Sequence, residues 1–449
     1  MSKYQITHNA PIALCAAILI SALVVPGSAQ NAVIAQEQGF TIPPNVQTPV
    51  VLQTQPDAAC DLHLPGVNDA AHTMRLYANE EGYVRVHLTV QEGSQEDQRV
   101  QLDCAAGGTV TTYPVRLRAA VSATADMPAP QAYVPTPKSA RVLPALTEAT
   151  AQQFSDQYLA SLGYPPRPDA TASPDRYAKW LDRVSRPMTV LQPHLVSNPN
   201  ITRRPRSVEK GVEANTLETL SNWSGQELRY KSNSYFEIDG DWNVPSVTGE
   251  VGKATYSTMW IGMDGDPNNP LDPKAVNDLV QVGTEQDLND LGGGIGAANY
   301  YAWEELLPNQ PFEVVLPGLA NINSGDKIHA SVYICDSDTL RNQFGKNACF
   351  YLDDESFASS VAPIVVPFGS TTFQGSEAEW IMERPTLKGG VLPDLANYGA
   401  AFMTETGAEN SIGVEQSSAK AVDITMTNGK DTLSTSTNLP IVFTWHHFH

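Results

Sequence analysis

From Asn222 to the C-terminus the chain runs as short β-forming stretches broken by Gly, Pro, Asn and Asp, with hardly a helical pattern among them. Many short strands separated by turn signals bury their apolar faces by stacking sheets on one another, which predicts a β-sandwich. Strand candidates are 234–247, 255–263, 279–282, 300–306, 312–316, 327–335, 349–352, 362–368, 371–382, 398–403, 421–426 and 440–445. Gly292-Gly-Gly-Ile-Gly296 reads as a flexible loop; it does not open a helix after an apolar strand, so it is not a nucleotide fingerprint.

The first half of the chain is organised differently. Residues 1–29 have the pattern of a secretory signal: Lys3, an apolar run over 11–25 too short to span a bilayer comfortably, and small residues at 27–29. Residues 30–122 form a polar leader and a small β domain, in which 83–90 and 112–117 alternate with period two. Residues 123–215 begin as a Pro/Ala-rich linker and continue as a basic, partly helical segment. Phe154, Tyr158 and Leu162 recur every four residues within 146–162, and Tyr177, Trp180 and Val184 mark a second helix. Residues 216–449 are the dense β region. Removal of the signal takes Cys15 with it and leaves Cys60, Cys104, Cys335 and Cys349. Four cysteines allow three connectivities; the local spacings favour Cys60–Cys104 and Cys335–Cys349, and neither pair has the spacing of a zinc site.

Charge separates the two halves. Residues 216–449 carry 31 acidic and 11 basic side chains, nearly all of the chain's net −21. Such a surface does not track phosphates, so nucleic acid is not an expected partner. Residues 176–210 carry eight basic side chains against two acidic ones, ending in Arg203-Arg204-Pro205-Arg206. A basic segment ahead of an acidic domain suits a pro-segment that is held at neutral pH and released as carboxylates protonate. An ordinary solvated linker is the alternative.

Strand parity gathers the polar residues that matter. In 378–382, Ala378, Trp380 and Met382 share an apolar face, which leaves Glu379 on the other, displayed toward a cleft. In 279–283, Val280 and Val282 face the core and Gln281 faces away, with Gly283 leaving room beside it for a substrate backbone. Trp303 and Glu305 share one face of their strand. Zinc-protease, nucleophile-elbow and aspartic-protease motifs are missing from the sequence. The terminal His446, His447 and His449 read as a frayed end rather than a metal site.

In order, Asn222-Trp223-Ser224-Gly225, Trp260-Ile-Gly-Met-Asp264-Gly-Asp266, Leu279-Val280-Gln281-Val282-Gly283, Ala302-Trp303-Glu304-Glu305 and Glu377-Ala378-Glu379-Trp380-Ile381 resemble the motifs of the eqolisins, the glutamic peptidases. The resemblance covers roughly 222–400 and implies a lectin-like jelly-roll sandwich. It also implies a Gln–Glu dyad acting on protein or peptide substrates, with no metal, no cofactor and no membrane partner after signal cleavage. On it, Glu379 is the general base and then acid, and Gln281 the oxyanion donor. Asp264 and Glu305 support them, and Trp223, Trp260 and Trp303 line the cleft. Glu285 stands where the family has an Asp, Leu307 replaces a Tyr, and the loop around 284–299 is longer. The extra 59–120 region points to a bacterial-type branch, and a monomer is expected. Two other readings keep the same face: a glycoside hydrolase using Glu305 and Glu379, and a non-catalytic carbohydrate- or peptide-binding protein.

Overall fold

A computed structural model describes residues 32–64, 73–93, 97–120, 131–171, 173–192, 194–203, 217–290, 294–317, 321–335, 346–357, 359–410, 413–416, 421–438 and 440–449. The signal pattern at 1–29, Arg204, Arg206 and part of the 123–138 linker lie outside these residues. The described chain is predominantly β-sheet with two disulfides, Cys60–Cys104 and Cys335–Cys349, the pairs that the spacings favoured. No helix among the described residues is long and apolar enough to cross a membrane.

Alternating apolar residues near the N-terminus build a six-stranded sheet, in which Cys60 and Cys104 sit opposite each other on neighbouring strands. Strands Thr48–Gln53 and Tyr83–Val90 leave this sheet and extend a larger one. From that edge the larger sheet runs through Ile295–Leu307, Leu279–Asp290, Lys253–Met263, Glu377–Glu383 and Trp223–Arg229 to Val422–Thr427, all antiparallel. A second sheet runs from Arg141–Leu143 through Met188–Leu191, Ser359–Pro367, Asn347–Asp354, Lys327–Ile334, Tyr235–Asn243 and Ala400–Asn410 to Ile441–Trp445. Their facing sides share one apolar core. Indole N–H groups tie the layers, Trp380 donating to Asp239 O and Trp242 to Thr284 Oγ1, both at 2.9 Å. Buried aromatics meet their polar needs in this way.

Three sequence expectations change. The strand expected over 279–282 continues to Asp290, and its partner starts at Ile295, so most of the expected long loop at 284–299 is hairpin; residues 291–293 lie outside the described residues. The tip of that hairpin is where Tyr83–Val90 pairs, Ile295 lying opposite Val90. The helix expected over 146–162 is two, Glu148–Ala151 and Asp156–Leu162, because Ser155 caps the second by accepting from Tyr158 N. Residues 371–376, expected as strand, are irregular, since three of their backbone N–H groups bond a side chain instead of a neighbouring strand.

Candidate active site

Register alone assembles the site. Glu305 lies opposite Gln281, Gln281 opposite Gly262, Gly262 opposite Glu379, and Glu379 opposite Glu227. In-register neighbours present side chains on the same face. The row across five strands is therefore carboxylate, amide, gap, carboxylate, carboxylate. Gly262 is the gap: two strand spacings, about 9.6 Å between Cα atoms, separate Gln281 from Glu379, and the intervening residue has no side chain, although the edge of the Trp260 ring borders its place. The Gln281 amide donates to Glu305 Oε2 at 2.8 Å, which holds it and leaves its second N–H available. Burial pushes Glu305 well above the usual carboxylate range.

Asp264 acts on the backbone. It follows the end of the Gly262 strand with φ 66° and accepts from Gln374 N, Gly375 N and Ser376 N at 2.6, 3.1 and 2.9 Å. Those residues lead directly into Glu377–Glu383, so Asp264 fixes the approach to Glu379. Burial raises it to about 6, against the pull of the backbone N–H groups. At the far end of the row, Arg229 pairs with Glu227 and Asp266, each at 2.9 Å. Burial pulls Arg229 down, but Glu227, Asp266 and Glu379 together hold it above its ordinary value. A fixed cation thus faces Glu379, and the sequence reading did not single it out.

The next rows on the same face are Trp303, Gly283, Trp260, Ile381 and Gly225, then Tyr301, Glu285, Thr258, Glu383 and Trp223. Trp260 donates to Glu383 Oε2 at 2.8 Å and meets Trp223 edge-on at 5.0 Å. Trp303 donates to Thr258 Oγ1 at 3.0 Å. Gly283 leaves room for these rings rather than for a substrate backbone. A Cβ there would sit 2.4 Å from Met259 O and 2.9 Å from Trp303 Cζ2.

Nor is this face displayed to solvent as expected: Gln281, Glu305, Glu379 and the three tryptophans are fully buried. Part of the cover is the chain's own segment 196–203. Val196–Ser197 pairs with Val314–Val315, Ile201 bridges Leu387, and Thr202 N bonds Thr386 O at 2.8 Å. At its end the Arg203 guanidinium, itself fully buried, lies 3.6 Å from the Trp303 ring centroid. It is bound by Glu285, by Glu313 at 2.7 Å and by Glu383 at 3.3 Å. Burial pushes Glu285 up to about 8 and Glu383 up to about 7, with Arg203 opposing both. The sequence reading placed Arg203 in a basic run and Glu285 among the supporting residues. Glu313 and Glu383 carried no signal there, being single carboxylates in strand-like surroundings.

Among the described residues, Glu250, Asp394 and His449 come close enough to share a metal ion. Lys253 Nζ already pairs with Glu250 and with Asp394, the latter at 3.3 Å, so a cation of the chain occupies that place.

A β-sandwich that sets a buried amide and a buried carboxylate across a glycine gap, with charged groups at both ends, has the make-up of a hydrolase site. Residues 221–440, just under half of the chain, match the model of the Peptidase A4 family. Two crystal structures of Scytalido-glutamic peptidase are similar to the chain. One, with a peptide-based transition state analog, is 19% identical over 50% of this chain and 98% of that one, with TM-score 0.39. The other, with a transition state analog inhibitor, is 20% identical over 51% and 98%, with TM-score 0.40. SCP-B, described as an eqolisin in complex with the tripeptide Ala-Ile-His, is 19% identical over 51% and 98%, with TM-score 0.37. No curated protein sequence matches the chain.

Proposed function

We propose that the chain is an exported endopeptidase of acid pH, of a bacterial-type branch of the eqolisin family, that hydrolyses peptide bonds with Glu379 and Gln281. The observation that carries this reading is the row in which Gly262 alone separates the two side chains. On this reading a peptide carbonyl and a water take their place between the two side chains, beside the Trp260 ring, once the cover is gone. Glu379, ionised, takes the proton of water as it attacks; a carboxylate's ordinary pKa suits this to acid pH. Gln281, held by Glu305, donates to the oxygen that becomes negative, and an amide does so without titrating. Glu379 then passes its proton to the leaving nitrogen. Asp264 and Arg229 position and polarise the carboxylate, and segment 196–203 belongs to a pro-segment covering the face. A glycosidase pair of Glu305 and Glu379 is disfavoured, because Gln281 stands between them and engages Glu305.

The test is cleavage of a denatured protein across pH 2–7 by wild type, Glu379→Gln and Gln281→Ala, with intact mass followed for self-processing. Glu379→Gln should remove activity, since general acid–base assistance alone is worth about 10²–10⁴-fold. Gln281→Ala should cost about 10²–10³-fold. A folded Glu379→Gln protein that retains most of its activity refutes the mechanism.

A further inference from the structure

We propose that Glu285, Glu313 and Glu383, floored by Trp303, are a guanidinium subsite of the peptide cleft, that substrates with an arginine are preferred through it, and that Arg203 is its internal occupant. The location within a substrate cleft rests on the peptidase reading; the ability to bind a guanidinium does not.

The carboxylates and the occupant belong to different parts of the chain. Glu285 stands in the middle of Leu279–Asp290, Glu383 ends Glu377–Glu383, and Glu313 is held by Tyr301 Oη at 2.7 Å and, from the occupant's own segment, by Asn198 Nδ2 at 2.6 Å. Arg203 arrives on a segment tied down by a two-residue strand, a few backbone bonds and Asn198, whose side chain donates to Glu313 and accepts from Tyr77 Oη at 3.0 Å. If that segment leaves, three buried carboxylates and an indole face are left together. Stripped of their cation, buried carboxylates either take up protons or bind a replacement, and a guanidinium competes with the protons best toward neutral pH. The shape of the site selects the replacement. A ring 3.6 Å below and acceptors around the rim match a planar guanidinium with its fork of donors, and suit an ammonium poorly.

The backbone of 196–203 is held as a peptide ligand would be, by strand-type bonds to 313–315 on one side and 386–388 on the other. A cavity of about 720 Å³ adjoins this path, lined by Ile201 of the segment itself, by Tyr256, Asp287 and Leu387 from the cleft and by Asp61 and Arg75 from the small sheet, which gives a longer peptide room to continue. The Glu285–Glu383 row lies four residues along the strands from Gln281 and Glu379, about 13 Å. A basic side chain seated there therefore belongs to a residue a few positions from the scissile bond.

The experiment uses full-length Arg203→Ala protein in which Asn200, Ile201 and Thr202 are also replaced by Gly, so that its own segment yields the path, and the labelled peptide acetyl-Asn-Ile-Thr-Arg-amide, with a citrulline version as the neutral isostere. Binding is read by fluorescence anisotropy. The arginine peptide should bind at least about tenfold more tightly than the citrulline peptide, as expected for a charge-assisted contact. Wild type, with its site filled, should bind neither well, and Glu383→Gln in the same variant background should erase most of the difference. Equal affinities, or no binding by a folded variant, overturn the subsite. Should that variant not fold, self-processed wild type is given a peptide library. Enrichment of arginine at one position, lost in Glu383→Gln, supports the subsite, and cleavage indifferent to arginine overturns it. Selective binding without any cleavage refutes the peptidase reading and leaves the subsite standing.

Discussion

Single residues decide whether the site face is flat and continuous. Gly283 sits in the row between Trp303 and Trp260, and a Cβ there would lie 2.4 Å from a backbone oxygen and 2.6 Å from Trp260 Cβ. Neither neighbour is the far end of a flexible side chain. Gly283→Ala should therefore cost at least about 2 kcal/mol, as overpacking of a close-packed core does, and should displace the two indoles. Chemical denaturation measures the first and near-UV circular dichroism the second; a variant as stable as wild type with an unchanged aromatic spectrum would show that the face is looser than its geometry implies. At Gly262 the encounter is milder, 2.9 Å to the edge of the Trp260 ring and 3.0 Å to Val280 O. Glycine there keeps a Cβ out of the space that Gln281, Glu379 and the Trp260 ring border, so Gly262→Ala should lower turnover and, through the buried Trp260, stability as well.

At the scale of elements, a basic helix is clamped onto acidic strands. Ser173 and Pro174 open the helix Pro174–Val184, whose apolar residues Trp180 and Val184 are buried. Arg176, Lys179 and Arg183 share the face turned to the second sheet. Arg176 reaches Glu237 and Asp239, Lys179 reaches Glu405, and Arg183 meets Glu355 at 2.6 Å and Asp353 at 3.5 Å. Arg183 is as enclosed as Arg176 and faces Asp353 and Glu355, so Arg183→Gln leaves buried carboxylates without their partner, a change worth about 3–5 kcal/mol. Limited proteolysis by an added protease at neutral pH should then cut residues 138–203 at least about tenfold faster than in wild type; an unchanged rate would mean that apolar packing alone holds the helix. The helix was legible from Tyr177, Trp180 and Val184, and the strands that carry Gln281 and Glu379 from their alternation. What alternation missed was the far half of the Leu279–Asp290 strand, because Thr284, Glu285, Gln286 and Asp287 are all polar. Polar side chains are tolerated there because they meet partners inside the fold. Thr284 accepts from Trp242, Gln286 donates to Thr284 O at 2.7 Å, and Glu285 holds Arg203. Arg203 itself was legible only as charge, since nothing in a basic run says which member will be enclosed.

Taken as a whole, the molecule encloses carboxylates on a scale that sets its response to pH. Burial lifts Asp264 and Asp353 to about 6, Glu383 to about 7, Glu237, Glu285, Glu304 and Asp354 to about 8, and Glu377 to about 9. Each of these groups holds its proton more firmly in the folded chain than in the unfolded one. The stability they contribute is therefore complete below the ordinary carboxylate range and is lost as pH climbs through about 6 to 9. Asp241 and Glu355 go the other way: burial raises them, but His329 and Arg183 for the first, and Arg183 and Lys327 for the second, more than reverse it. Their contribution is lost only as pH falls below the ordinary range. The formal charge of −21 adds self-repulsion at neutral pH that acid relieves. Thermal unfolding followed from pH 3 to pH 9 should thus peak near about pH 4–5 and fall by at least about 5 °C by pH 8. Glu285→Gln and Glu383→Gln should flatten the alkaline limb, because an amide asks for no proton. A melting temperature that keeps rising to pH 8 would contradict this account, while the predicted peak would place the stability of the fold in the same acid window as the chemistry proposed for Glu379.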